Sequence, residues 1–190
     1  MSTEIRAELP PGFSWREVPQ LRAAFTMPDG WVFRYENAFG TQACFITRES
    51  ILAERFSTSP EGVRQQVQEG KGYKTGLSVN SFEAIAKKLG VSPAIFARSA
   101  LTTNSFLIPE GRLEISQDGP LHIQRGYFRS GNRLLASRGM PPIKYYMETV
   151  GNNQTDRAYV LMFETPAELW EQDRNIAEVV INNRVLDPTL

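Results

Sequence analysis

The stretch that most restricts the fold is Ala158 to Val185, AYVLMFETPAELWEQDRNIAEVVINNRV. Tyr159 through Phe163 are apolar without alternation, so the run predicts a strand covered on both faces and central in its sheet. Thr165-Pro166-Ala167-Glu168 follows and predicts the start of a helix. The Thr165 hydroxyl can accept from first-turn amides, Pro166 at the first helical position needs no N–H partner, and Glu168 can reach back to the cap. Loss of such a cap costs about 1 kcal/mol. Leu169, Trp170, Ile176, Ala177, Val180 and Ile181 share one broad face at helical spacing, and Asp173 is expected near its edge. A stripe of this kind is a core face.

The rest of the chain supplies further strands. Residues 1–11 are polar, end in Pro10-Pro11 and read as a flexible lead-in to a single domain over residues 12–190. Gly12–Pro19 and Leu21–Pro28 are short and Pro-bounded, which suits an arm or edge strand. Asp29-Gly30 is a turn signal. Trp31, Phe33 and Tyr35 then alternate with polar neighbours, and Ala43 to Ile46 return, so residues 12–47 predict an antiparallel meander. Residues 59–69 predict a polar surface helix with an apolar edge of Val63 and Val67. Gly76–Phe82 predicts a strand. Residues 83–89 fit either a continuing strand or a helix. Ser92-Pro93 opens a helix to about Thr103, with Ile95, Phe96, Ser99 and Ala100 inward. Gln117-Asp118-Gly119-Pro120 between two apolar runs is a hairpin signal. Residues 126–142 read as irregular, Ile143–Val150 as a strand and Gly151–Asp156 as a polar turn. Strands joined by short connections, with few helices, argue for an α+β fold: an antiparallel sheet with helices on its faces.

Composition removes several functional classes. At 41% hydrophobic and 11% aromatic, 190 residues can bury one full core without staples. Lys plus Arg equals Asp plus Glu at 21 each, so net charge gives no argument for a nucleic-acid or membrane partner. Cys44 is the only cysteine, which excludes an internal disulfide and a cysteine zinc site and suits a reducing compartment. The first residues, MSTEIRAELPPG, lack an apolar signal core, and no stretch reaches 18 apolar residues. The expectation is a cytoplasmic protein without a membrane span.

Several segments together resemble a known family. They are Gly12-Phe13-Ser14-Trp15, Pro28 with Gly30-Trp31, and Phe45-Ile46-Thr47-Arg48-Glu49-Ser50-Ile51. Thr75-Gly76-Leu77-Ser78-Val79-Asn80, Val91-Ser92-Pro93 and Phe163-Glu164-Thr165-Pro166 before Trp170 complete the set. In that order, over most of residues 12–185, the chain resembles the PsbP-like superfamily, which takes in the photosystem II extrinsic subunit P and the Ran-binding Mog proteins. The likeness is nearest to its poorly characterised soluble branch, and residues 55–74 look like an insertion relative to the shorter family pattern. The resemblance implies an α-β-α sandwich around an antiparallel sheet and a non-catalytic binding or assembly role. It carries over no partner-binding residues, and the lack of a leader argues against a thylakoid-lumen role.

No motif supports an enzyme. His122 is the only histidine and falls in a predicted strand without orienting partners. Cys44, between Ala43 and Phe45, reads as a buried apolar residue. No glycine loop opens a helix to cradle phosphate, and the acids lack metal-ligand spacing, so no cofactor is expected. One constellation stands out. Between Gly119 and Met147 lie Arg125, Arg129, Arg133, Arg138 and Lys144 with no acid, interleaved with Tyr127, Phe128, Tyr145 and Tyr146. Residues 148–190 then hold eight acids and three bases. Two readings stay open: an exposed surface for an anion or acidic partner, or charges that pair across the sheet with the acidic tail. Three roles follow: a chaperone-like or binding module for a protein partner, a small-ligand or anion binder using a cleft near Arg125, Tyr127 and Arg129, and, with least support, an enzyme. A nucleic-acid partner is not expected, since that requires a net basic face.

Overall fold

The computed structural model of the protein describes residues 8–38, 41–52, 62, 65–66, 68–69, 71–72, 74–102, 107–131 and 142–186. The strands are β1 (Phe13–Val18), β2 (Ala23–Pro28), β3 (Val32–Ala38), β4 (Thr41–Thr47), β5 (Gly76–Glu83), β6 (Leu107–Pro109), β7 (Glu114–Asp118), β8 (Leu121–Ser130), β9 (Ile143–Asn152), β10 (Arg157–Pro166) and β11 (Arg184–Leu186). The helices are α1 (Ile85–Leu89), α2 (Pro93–Thr102) and α3 (Trp170–Asn182). An eight-stranded sheet runs β3-β4-β5-β10-β9-β8-β6, with β7 pairing β8 as well, and a three-stranded sheet runs β1-β2-β11. Every one of these pairings is antiparallel. The unalternated run Tyr159–Phe163 is therefore in a central strand, β10, between β5 and β9.

Helices and the small sheet cover the two faces of the large sheet, giving the expected α+β sandwich. On one face Val18, Leu21 and Phe25 of the small-sheet region and Trp170, Ala177, Val180 and Ile181 of α3 pack on Tyr146, Val150, Tyr159, Leu161 and Phe163. On the other, Leu101 of α2 packs with Phe128 and Met147, flanked by Val160 and Met162. The second contact needs a glycine. A Cβ on Gly151 would lie 2.3 Å from the carbonyl oxygen of Pro93, so any side chain there would lift α2 off the sheet. The turn between β9 and β10 completes the arrangement. Asn153 Oδ1 accepts from the Ala94 amide (3.0 Å) and Asp156 Oδ1 from the Ala86 amide (2.7 Å), so one turn caps α2 and α1 together. Ser92 Oγ adds a bond from the Ile95 amide at 3.3 Å, consistent with a helix start at Ser92-Pro93.

The structure corrects several expectations. Thr165 is no helix cap. It is the penultimate residue of β10, residues Ala167–Leu169 form a 3-10 turn, and α3 starts at Trp170 with no side-chain cap. Asp173 lies within the buried face of α3 and is fully buried, not at its edge. The Thr165 hydroxyl donates to Asp173 Oδ2 at 2.7 Å, Thr75 Oγ1 lies 2.9 Å from Thr165 Oγ1, and Arg48 pairs with Asp173 Oδ1. A buried carboxylate must be paired and hydrogen-bonded, and here Thr165 at the end of β10 and Arg48 just after β4 supply the two partners, with Thr75 bonded to Thr165 behind them. The meander over residues 12–47 is split: β1 and β2 belong to the small sheet, β3 and β4 to the large one. In α2 the buried residues are Pro93, Ala97 and Leu101, and Ile95 is exposed, because contact with the sheet begins at Pro93 beside Gly151. Residues 126–130 continue β8 instead of being irregular, and β9 runs on through Asn152. Residues 83–89 resolve as the end of β5 followed by α1.

Residues 48–75 connect β4 to β5. The Arg48 amide donates to the Thr75 carbonyl (3.0 Å), the Leu52 amide to Lys71 (2.8 Å), and Glu49 Oε2 accepts from the amides of Lys74 (3.0 Å) and Thr75 (3.1 Å). The expected polar helix over 59–69 and the insertion over 55–74 fall largely outside the described residues. Of that stretch, Gly62, Gln65, Gln66 and Gln68 are helical. Arg48 also lies over the Trp31 ring (5.4 Å), which stacks on Phe163 (6.3 Å). Trp31, Arg48, Glu49, Thr75 and Thr165, quoted above from separate motifs, thus meet in one clasp between the residue before β3, the two ends of the 48–75 connection, β10 and α3.

Candidate functional site

The arginine and tyrosine segment is the strand β8, and its alternation decides what each side chain can meet. Even-numbered Phe128 packs with Leu101 of α2. Odd-numbered Arg125, Tyr127 and Arg129 take the opposite face, beside α3. The register with β9 sets Arg125 opposite Glu148, Tyr127 opposite Tyr146 and Arg129 opposite Lys144. Each cross-strand pair behaves according to its chemistry. Arg125 and Glu148 attract, at 3.5 Å. Tyr127 and Tyr146 stack with centroids 4.6 Å apart. Arg129 and Lys144 are like charges, and Glu110 lies between them, 4.0 Å from Arg129 Nε and 3.1 Å from Lys144 Nζ. Glu110 is held there by its own amide, which donates to the Tyr127 carbonyl at 2.8 Å.

From α3, residues Trp170, Arg174, Glu178 and Asn182 recur every fourth position and so form one ridge along the helix. All four meet this strand pair. The Trp170 ring stands edge-on to Tyr127 (5.9 Å), with Lys144 Nζ at the same distance from its centroid. Arg174 lies over the Tyr127 ring (5.3 Å) and bonds Glu178 (3.0 Å). Tyr127 donates its hydroxyl to Glu178 at 2.8 Å. Asn182 Oδ1 accepts from Arg125 Nη1 (2.9 Å) and from the Tyr146 hydroxyl (3.4 Å). The Tyr127 hydroxyl bond holds the Glu178 carboxyl below its usual range, with Arg174 adding to it, while burial pushes the Tyr127 phenol up to about 12.

Below the ridge lies Glu148, whose side chain is fully buried between Arg184 Nε (2.5 Å) and Arg125 Nε (3.5 Å). Burial raises its pKa above the ordinary glutamate value, against the opposing pull of Arg184 and Arg125. Arg125 has a further ionic neighbour, Glu114 of β7, at 3.7 Å.

Of the six residues expected from sequence, Arg125, Tyr127, Arg129 and Lys144 share one face, while Arg133 and Arg138 lie outside the described residues. The four do not converge on a common anion seat. Arg125 is answered by Glu148, Glu114 and Asn182, and Arg129 and Lys144 by Glu110. Among the described residues the pairing across the sheet therefore exists, and the acidic tail contributes Glu148 to it. Sequence reasoning missed Glu110, Glu114, Arg174 and Asn182. The fourfold recurrence 170, 174, 178, 182 was the available signal for the last two. His122 has Asn153 Nδ2 at 3.4 Å from its Nε2, and Cys44 is a buried free thiol whose pKa burial pushes up. Among the described residues no group of three or more His, Cys, Asp and Glu side chains is placed to hold a metal ion, and no helix is long and apolar enough to cross a membrane.

A sandwich of this layering, with a mixed charged and aromatic ridge on one face, defines a class by its fold alone. No family model matches the chain, and a search of curated proteins finds no match. Solved structures are similar. Cyanobacterial PsbP (CyanoP) from Synechocystis sp. PCC 6803 matches at 11% identity, over 98% of this chain and 96% of that one, with a TM-score of 0.50. The Ran-binding protein Mog1p of Saccharomyces cerevisiae matches at 11% identity, over 93% and 96%, with a TM-score of 0.51, and a Mog1 variant at 13% identity, over 92% and 95%, also at 0.51. The chain therefore has the PsbP-like fold that its sequence motifs resemble.

Proposed function

We propose that the chain is a non-catalytic module that recognises a protein partner through the face where α3 lies beside β8 and β9. The observation that carries this reading is the setting of Tyr127. Its half-buried ring is fixed by Tyr146, Trp170 and Arg174, and charged residues that are already paired surround it. A rigid aromatic anchor with a polar rim is what a protein partner reads, since little side-chain entropy is lost on docking. The likeness to a Ran-binding protein supports the kind of role and leaves the partner's identity open. The anion-binding alternative is the weaker reading, because Arg125, Arg129 and Lys144 each face an acid. A buried free thiol at Cys44 suits a reducing, cytoplasmic setting. The test is capture from native extract. The wild-type chain should retain a stoichiometric partner that Tyr127→Ala with Arg129→Glu loses and Lys71→Glu keeps. Absence of any stoichiometric partner would count against the proposal.

A further inference from the structure

The face of the sheet opposite Tyr127 carries a feature that this reading does not use. No Asp or Glu occurs from Ala84 to Pro109, while Lys87, Lys88 and Arg98 do. These residues lie on α1 and α2, which meet at a left-handed turn on Gly90 (φ 70°). All three cations are exposed. Two aliphatic side chains of the same two helices are exposed as well, Leu89 at 59% and Ile95 at 58%. Ile95 and Arg98 are three apart on the outer face of α2, whose inner face, Ala97 and Leu101, is buried. The α1–α2 corner is thus an outward surface of aliphatic tips among basic residues.

We propose that this corner docks the protein on an anionic lipid surface, with Leu89 and Ile95 entering the headgroup boundary and Lys87, Lys88 and Arg98 against the acidic headgroups. Charge sets the sign of the occupant: the acids beside this corner are engaged, Asp156 with the Ala86 amide and Glu83 with Arg157, so the two lysines and the arginine leave it net basic. Side-chain type then decides between lipid and protein. Protein interfaces favour aromatic residues and arginine and are depleted in lysine. Here the projecting residues are aliphatic and two of the three cations are lysines, whose flexible stems lie along apolar surface while the ammonium stays in the headgroup layer. Since α2 and Tyr127 occupy opposite faces of the sheet, membrane docking leaves the proposed partner face open, and either idea can fail alone.

Co-sedimentation of the full chain with vesicles of phosphatidylcholine, with and without phosphatidylserine, tests this. Binding should require phosphatidylserine and weaken with added salt. Lys87→Glu with Lys88→Glu should lower the partition coefficient at least about tenfold, and Leu89→Ser with Ile95→Ser should lower it too. All four positions are exposed, so these variants should fold, which their melting temperatures check. Arg112→Glu, an exposed charge reversal elsewhere, should bind as wild type. Failure to sediment with phosphatidylserine vesicles would overturn the proposal, as would equal loss on Arg112→Glu. Binding to soluble polyglutamate without binding to vesicles would mark an acidic protein as the occupant and equally overturn it.

Discussion

Replacing Asp173 by alanine should destabilise the protein by about 3 kcal/mol. The figure follows from two contacts. Thr165 loses a charged acceptor at 2.7 Å inside the core, and hydrogen bonds to charged groups are worth about 1.5–3 kcal/mol. Arg48 loses its ion pair, but its side chain is 30% exposed, so water screens it and the pair counts for about 0–1 kcal/mol, well short of the 3–5 of a fully buried pair. Relief of the carboxylate's own burial offsets part of the sum. At about 2–4 °C per kcal/mol for a chain of this size, the melting temperature should fall by about 6–12 °C. Denaturant unfolding of Asp173→Ala, Thr165→Val and the double variant gives the coupling between the two residues. It should be at least about 1 kcal/mol, because both single changes remove the same bond. If Thr165 instead served as a helix cap independent of Asp173, the two losses would add to within about 0.5 kcal/mol, and the account of this cluster would be refuted.

Three further outcomes follow from the same geometry. Gly151→Ala should cost about 3 kcal/mol or prevent folding, since its Cβ meets the Pro93 backbone and neither element can move without breaking the α2 contact; denaturant midpoints measure it. Asn153→Ala should cost about 1 kcal/mol by uncapping α2, with faster amide exchange confined to its first turn. Glu148 has a raised folded pKa, so the native state holds its proton more tightly than the unfolded chain does. Its contribution to stability is therefore greatest below the ordinary glutamate value and declines as pH rises from there through the folded value. The melting temperature of wild type relative to Glu148→Gln should fall across that interval, and a relative rise would contradict the assignment.

The parts of the fold legible in the sequence are those governed by local pattern. The unalternated Tyr159–Phe163 run marked the central strand, Ser92-Pro93 the start of α2, and the Gly119 turn the β7–β8 hairpin. Thr165 was misread because Thr-Pro-x-Glu satisfies the rule for a cap, while the partners that claim its hydroxyl, Thr75 and Asp173, are set by tertiary packing. The inward face of α2 was misread for a like reason. Gly151 admits the helix at Pro93, and that contact fixes its rotation more firmly than its weak apolar pattern does. At the candidate site, Arg125, Tyr127 and Arg129 were named from the run of bases and aromatics; the alternation that puts them on one face went unread, because residues 126–142 look irregular in sequence while β8 runs on to Ser130. Their partners were not legible, because Glu110, Glu114, Glu148 and Asn182 arrive through strand register and through α3.

If the Tyr127 face recognises a protein, photocrosslinking from its rim traps that protein. A photoreactive residue at Arg129, at the rim of that face, should join the captured partner in a defined adduct that Tyr127→Ala abolishes. The same residue at Thr102, exposed at the end of α2 on the other side of the sheet, should give none. Equal crosslinking from both positions, or an adduct from Thr102 alone, would contradict the account.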